Sequence, residues 1–140
     1  MIASADEFIR LRNSEIPEEY ERAASEPAPH EVWLELVANH PEMRFWVAYN
    51  KSVPISILEI LADDADERVR FMVASKRKLS PELFLKMSSD VDCGVRARIA
   101  CNKKTPRFII ERLCLDNVEL VAEAARGRLI EFPDGTKQMN

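Results

Sequence analysis

Hydrophobic residues recur along the chain in short stripes at helical spacing. Three apolar residues at positions i, i+1 and i+4 return twice with a constant shift. They are Ile57, Leu58 and Leu61, then Leu83, Phe84 and Met87, then Ile109, Ile110 and Leu113. This spacing gives one apolar face of a helix. Pro54, Pro81 and Pro106 precede the stripes and favour a helix start there, with Ser80 and Thr105 as candidate caps.

A second pattern recurs with the same shift, once before the first stripe and then after the stripes. Val-Arg or Met-Arg, followed by Val-Ala or Ile-Ala, occurs at 43–48, 69–74 and 95–100, and a fourth frame from 113 to 126 has lost the arginine. Asp66 and Asp92 are candidate caps of this second helix. Because two short helices cannot bury their apolar faces alone, we expect the copies to stack as a helical solenoid.

The N-terminal region differs from the repeats. Ser4 and Glu7 have the spacing of a capping box, and Pro17 opens a second helix. Residues 1–30 are predicted to be a helical N-terminal cap on the first repeat, and an independent binding arm is the alternative. Residues 31–129 form the repeats, and residues 130–140 are predicted to be a flexible tail of a single domain, 1–140.

The repeat resembles a known class. The pattern L-x-x-L-A-x-D-x-D-x-x-V-R-x-x-V-A-x-N-x-x-x-P, seen here as Leu58–Asp66, Val69-Arg70, Val73-Ala74 and Pro81, resembles the leucine-rich repeat variant (LRV) class of HEAT-like repeats over roughly residues 32–129. The resemblance implies an all-α, right-handed solenoid of about four 26-residue repeats. It also implies an Asp–Arg ladder in which the arginine follows six positions after the aspartate. The candidate pairs are Asp64 with Arg70 and Asp90 with Arg96.

The composition agrees with a helical chain, and the cysteines show no metal-binding spacing. Only 3 glycines stand against 8 prolines in 140 residues, which is few for folds that need tight glycine turns. Cys93, Cys101 and Cys114 match no metal or redox spacing, so we expect reduced, buried, structural thiols and a cytoplasmic protein. Some LRV proteins carry a cysteine-rich iron–sulfur region, but all three cysteines lie in the repeats. We therefore expect no metal and no cofactor.

Catalytic motifs are missing from the sequence. The two histidines, His30 and His40, have no patterned partner, and no phosphate-binding loop, nucleophile elbow or H-E-x-x-H motif occurs. Asp63, Asp64 and Asp66 could hold a cation, but helix capping and the ladder explain them better. We expect a non-enzyme with no small-molecule substrate, and no apolar run is long enough for a membrane span.

Charge is divided unevenly along the chain. Residues 1–42 hold ten acids and three bases, a balance of −7, whereas residues 68–112 hold twelve bases and four acids, a balance of +8. Lys76, Arg77 and Lys78 occupy the same loop as Lys103 and Lys104 one copy later. These five residues are expected to form a basic ridge, which either attracts anions or is a solvated turn face.

Aromatic residues concentrate in the first copy. Trp46 takes the position that Met72 and Arg98 hold in later copies, so this position is expected to be at least partly exposed. Together with Tyr49 and Phe45, Trp46 is a candidate anchor for a partner. Packing beneath the N-terminal helices is the equal alternative.

These patterns favour a non-catalytic protein-binding scaffold, with an inhibitor or immunity-type protein as one form. The alternative is a nucleic-acid-binding HEAT-like protein that uses the basic 68–112 segment, although a pI near 5.3 counts against it. The candidate partner-binding residues are Trp46, Tyr49, Lys76, Arg77, Lys78, Arg98, Lys103 and Lys104.

Overall fold

A computed structural model describes residues 1–132 of the chain, and over that range it is all-helical, without strands. The α-helices are α1 (Ala5–Arg12), α2 (Pro17–Ser25), α3 (His30–Asn39), α4 (Arg44–Tyr49), α5 (Ile55–Leu61), α6 (Glu67–Ala74), α7 (Pro81–Met87), α8 (Cys93–Cys101), α9 (Arg107–Leu113) and α10 (Glu119–Ile130). A 3₁₀ turn, Pro41–Met43, precedes α4. The prediction of an all-α protein is confirmed.

The helix bounds keep the shift seen in the sequence. Helices α5, α7 and α9 begin at residues 55, 81 and 107, and α6, α8 and α10 begin at residues 67, 93 and 119. The 3₁₀ turn begins at residue 41, one such shift before the start of α6. Each apolar stripe is buried on its helix, so the stripes form core.

The chain divides into two compact units, residues 1–73 (unit 1) and the residues from 74 onward (unit 2). In unit 1, α1 packs against α2 and α3. Phe8 and Trp33, both buried, meet edge to face with ring centroids 5.7 Å apart. Helix α1 therefore packs into the same core as α3.

In unit 2, α10 packs against α8 and α9. Val121 and Ala125 of α10 are buried there, as are Val95 and Ile99 of α8. The helix runs to Ile130, so the first residue of the predicted tail is helical. Residues 133–140 of that tail lie outside the described residues.

The predicted helix caps are confirmed in part. The side chains of Ser4, Ser80 and Asp92 each accept a hydrogen bond from a first-turn backbone N–H. Thr105 does not cap, because its hydroxyl donates to the carbonyl of Ile99 at 2.6 Å. Helix α9 instead begins after Pro106, with no side-chain cap.

The prediction of buried cysteines is wrong. Cys93 and Cys101 are exposed, and Cys114 is half-buried. Cys101 occupies the position of Tyr49 two copies earlier, and Tyr49 is exposed as well. The repeat turns this position toward solvent, so a cysteine there cannot join the core.

Candidate functional site

Three aromatic side chains of α4 form one cluster in unit 1. The ring centroids of Phe45 and Trp46 lie 5.0 Å apart, and those of Trp46 and Tyr49 lie 5.8 Å apart, both nearly perpendicular. The rings of Phe45 and Tyr49 are stacked at 6.5 Å. Tyr49 is 45% exposed, and the other two are half-buried, so the cluster reaches the surface.

Helix α6 adds two apolar residues at equivalent positions. Phe71 and Met72 stand one copy after Phe45 and Trp46, and Phe71 is 42% exposed while Met72 is half-buried. We call Phe45, Trp46, Tyr49, Phe71 and Met72 the aromatic face. From the sequence only the first three were candidate anchors, although the constant shift already linked Phe71 to Phe45 and Met72 to Trp46.

A groove borders the aromatic face between α4 and the start of α6. Its volume is about 380 Å³. The residues that line it are Pro41, Glu42, Phe45, Trp46, Asp66, Arg68 and Val69. Asp66 is paired with Arg68 at 2.9 Å, and the hydrogen bond from Arg68 holds the pKa of Asp66 below its usual value. The groove thus combines an apolar lining with a charged rim.

The N-terminal helices also reach the cluster. The guanidinium carbon of Arg12, on α1, lies 3.5 Å from the centre of the Trp46 ring. This distance is well inside the range of cation–π contacts. The two expectations for the cluster, exposure at the surface and packing beneath the N-terminal helices, therefore each apply to part of it. Trp46 is partly covered by α1, whereas Tyr49 stays at the surface.

The two basic loops meet within unit 2. Asn102 is buried, and its side-chain amide donates to the carbonyls of Ala74 at 2.8 Å and Lys76 at 2.7 Å. Its side-chain oxygen accepts from the backbone N–H of Lys104 at 2.9 Å. One asparagine therefore joins the loop of Lys76 to the loop that carries Lys103 and Lys104.

The members of the basic ridge are not equally solvated. Lys76 is half-buried, and this burial lowers the pKa of its ammonium group to about 8. The other four members of the ridge are exposed: Arg77, Lys78, Lys103 and Lys104. The ridge therefore has four exposed bases, whereas the sequence predicted five. Arg98, a candidate partner-binding residue outside the ridge, is half-buried, and its Nε donates to the hydroxyl of Ser75 at 2.9 Å.

The asparagine position recurs in unit 1. Asn50, two copies before Asn102, is buried, and its amide donates to the carbonyls of Ala23 at 2.8 Å and Glu26 at 3.0 Å. Sequence reasoning gave this position no role. The asparagine of the V-A-x-N pattern marked this position in the sequence. In the copy between Asn50 and Asn102, Lys76 replaces the asparagine.

The arginine ladder differs from the expected one. Arg70 and Arg96 reach back from Nη1 to the backbone carbonyls of Asp64 (2.7 Å) and Asp90 (2.8 Å), where the resemblance implied carboxylate pairs. Arg96 forms its carboxylate pair with Asp116, in the next copy, through two hydrogen bonds of 2.8 and 3.1 Å. Those bonds hold the pKa of Asp116 below its usual value.

In unit 1, Arg44 likewise reaches forward to the carboxylate of Asp64 in the next copy, but at 3.4 Å. Its Nε donates to the carbonyl of Val37 at 2.8 Å. The side-chain contacts thus run forward to the next copy. The sequence predicted that these aspartates take part in the ladder. Their spacing alone did not show which copy each arginine contacts.

Among residues 1–132, no group of three or more His, Cys, Asp or Glu side chains is arranged to hold a metal ion. No helix in the same range is long and apolar enough to cross a bilayer. Nδ1 of His40 lies 3.5 Å from a carboxylate oxygen of Glu42. No protein-family model, curated protein or solved structure matches the chain.

Proposed function

We propose that the protein is a non-catalytic protein-binding module whose contact surface is the aromatic face of unit 1. In this proposal the copies stack as a right-handed solenoid of the LRV or HEAT-like kind. It also includes a role as an inhibitor or immunity-type protein, which blocks a partner by covering it. The expected cytoplasmic location rests on the unpatterned cysteines and stays a prediction.

A comparison of equivalent positions carries the proposal. In α4 the three outward positions hold Phe45, Trp46 and Tyr49, and in α8 the same positions hold Ala97, Arg98 and Cys101. In α10 they hold Glu123, Ala124 and Gly127. Because these helices form without aromatic residues there, the fold does not require them.

Large apolar groups that the fold does not require reduce solubility when they are exposed. Tryptophan and tyrosine are also the side chains that most often dominate binding energy at protein interfaces. A partner that covers the aromatic face would bury them. This explains why the bulky residues occur on neighbouring helices of one unit.

Affinity capture from the source cell extract tests the proposal, with the full chain as bait. Variants replace aromatic residues with those that other copies hold at the same position, Trp46→Met and Tyr49→Ser. Leu115→Ser, at an exposed apolar site of unit 2, is the matched control. We expect a protein retained by the wild type and the control, lost with either aromatic variant, and unaffected by nuclease. Equal retention by all variants would contradict the proposal.

A second candidate, nucleic-acid binding, is supported by one observation. Asn102 holds two basic loops together, so Arg77, Lys78, Lys103 and Lys104 are exposed in one part of unit 2. A filter-binding titration with DNA and RNA distinguishes the candidates, because each phosphate contact releases counterions and makes affinity fall steeply with salt. Sub-micromolar, salt-sensitive binding that is lost on reversal of these four charges would favour this candidate over a protein partner.

A further inference from the structure

The charge of unit 1 bears on what the aromatic face binds. Residues 1–73 hold 15 acidic and 7 basic residues, a balance of −8, while residues 74–140 hold 9 acidic and 13 basic residues, a balance of +4. A surface of one sign attracts partners of the opposite sign and repels the others. The unit that carries the aromatic face is therefore the unit suited to a basic partner.

The groove beside the aromatic face also has a negative formal charge. Its lining carries the carboxylates of Glu42 and Asp66 against one guanidinium, that of Arg68. Asp66 and Arg68 neutralise each other at 2.9 Å. Glu42 is mostly exposed, with the imidazole of His40 at 3.5 Å, and its carboxylate supplies the formal negative charge at the rim.

The chain also shows how these rings contact a cation. Arg12 places its guanidinium over the Trp46 ring at 3.5 Å. Arg12 does not line the groove, whereas Trp46 and Phe45 do. The groove therefore offers ring surface other than the part that Arg12 covers, next to the carboxylate of Glu42. Aromatic surface beside a carboxylate is the combination that recognises guanidinium and ammonium groups.

We propose that the occupant of this groove is a basic segment of a partner protein, with an arginine or lysine side chain placed between Glu42 and the rings of Phe45 and Trp46. The inference rests on the proposed function, since it names the chemistry of the partner at the same surface. Apolar residues of that segment would cover Tyr49 and Phe71.

Selection from a display library of random linear peptides tests the inference, with the full chain as target. We expect the enriched peptides to carry arginine or lysine next to apolar residues. Replacement of that basic residue by glutamine in the synthesised peptide should weaken binding about tenfold. Glu42→Lys in the protein should weaken it similarly, whereas Glu82→Lys, at an exposed site of unit 2, should not.

The outcomes separate the two proposals. Enrichment of neutral or acidic peptides that are lost with Trp46→Met would overturn the basic occupant and leave the protein-binding function in place. Peptides that bind Trp46→Met and Tyr49→Ser as well as the wild type would contradict both proposals, as would a selection that enriches nothing. Basic peptides that depend on both Glu42 and Trp46 would support both.

Discussion

Units 1 and 2 share the constant sequence shift of their helices but place different residues at the outward positions. Helices α4 and α6 present aromatic rings and methionine in a unit of charge −8, and α8 and α10 present small or polar residues in a unit of charge +4. The core stripes, by contrast, are buried in both units. The difference teaches that the sequence pattern keeps burial at the core positions, whereas the residue types at the outward positions are free to vary.

The arginine ladder shows a second difference. The side chain of Arg96 is 13% exposed and forms two hydrogen bonds with Asp116, which is 8% exposed. The side chain of Arg44 is 29% exposed and reaches Asp64 at 3.4 Å only. The ladder is therefore more deeply buried in unit 2, and its contribution to stability should differ between the units.

Among the substitutions of charged residues, Arg96→Met has the largest expected effect on stability. It leaves the buried carboxylate of Asp116 without its partner, and loss of one member of a buried pair costs about 3 kcal/mol or more. Arg44→Met should cost about 1–2 kcal/mol, because Asp64 is held by a longer contact. Urea denaturation of the two variants measures the difference. Equal losses would show that the ladder is the same in both units.

A double variant shows whether the cost of Arg96→Met comes from the unpaired charge. Arg96→Met with Asp116→Leu removes both charges, so it should recover part of the lost stability. If the double variant is less stable than Arg96→Met alone, packing around Asp116 dominates the effect. The same denaturation experiment distinguishes these results.

The buried asparagines should behave alike in the two units. Asn50→Ala and Asn102→Ala each leave two carbonyls without a donor, which costs about 2 kcal/mol. Denaturation midpoints measure the loss, and Asn39→Ala and Asn117→Ala, at exposed positions, are matched controls. A loss in only one unit would contradict the equivalence of the two positions.

Much of this fold could be predicted from the sequence, because core positions repeat and burial follows from their spacing. Helix starts, the stripe at Ile57 and the caps Ser80 and Asp92 are of this kind. Contacts between copies are harder to predict. Nothing in the spacing said that Arg96 would pair forward with Asp116 of the next copy, since that depends on how neighbouring copies approach each other.

The candidate site was predictable only in part, for a similar reason. Trp46 and Tyr49 stood out by residue type, but the cover of Arg12 over Trp46 arises from the packing of α1. The burial of Lys76 was also hidden, because a lysine in a basic run is typical of a solvated loop. Its position in the V-A-x-N pattern, where other copies bury asparagine, was the available signal.

Lys76 should give a difference that depends on pH. Burial lowers its pKa in the folded chain from 10.5 to about 8, so the unfolded chain binds more protons between these values. The contribution of Lys76 to the free energy of unfolding therefore rises as the pH increases from about 8 to 10.5. Lys76→Met should abolish the rise, and Lys78→Met, at an exposed site, should keep it. Urea midpoints at several pH values from 7 to 10.5 measure both; parallel profiles for all three proteins would contradict the assignment.

The smallest effect on stability is expected at the aromatic face itself. Tyr49→Ser introduces the residue that follows one copy later, at Ser75, and removes a side chain that is already 45% exposed. Surface substitutions of this kind usually change stability by less than about 1 kcal/mol. Trp33→Ala, in the buried core of the same unit, should cost about 3–5 kcal/mol. Denaturation of both variants, read by far-UV circular dichroism, tests whether the outward positions are independent of the fold. A loss at Tyr49 close to that at Trp33 would mean that the aromatic residues belong to the core of unit 1, and the argument that they are present for a partner would fail.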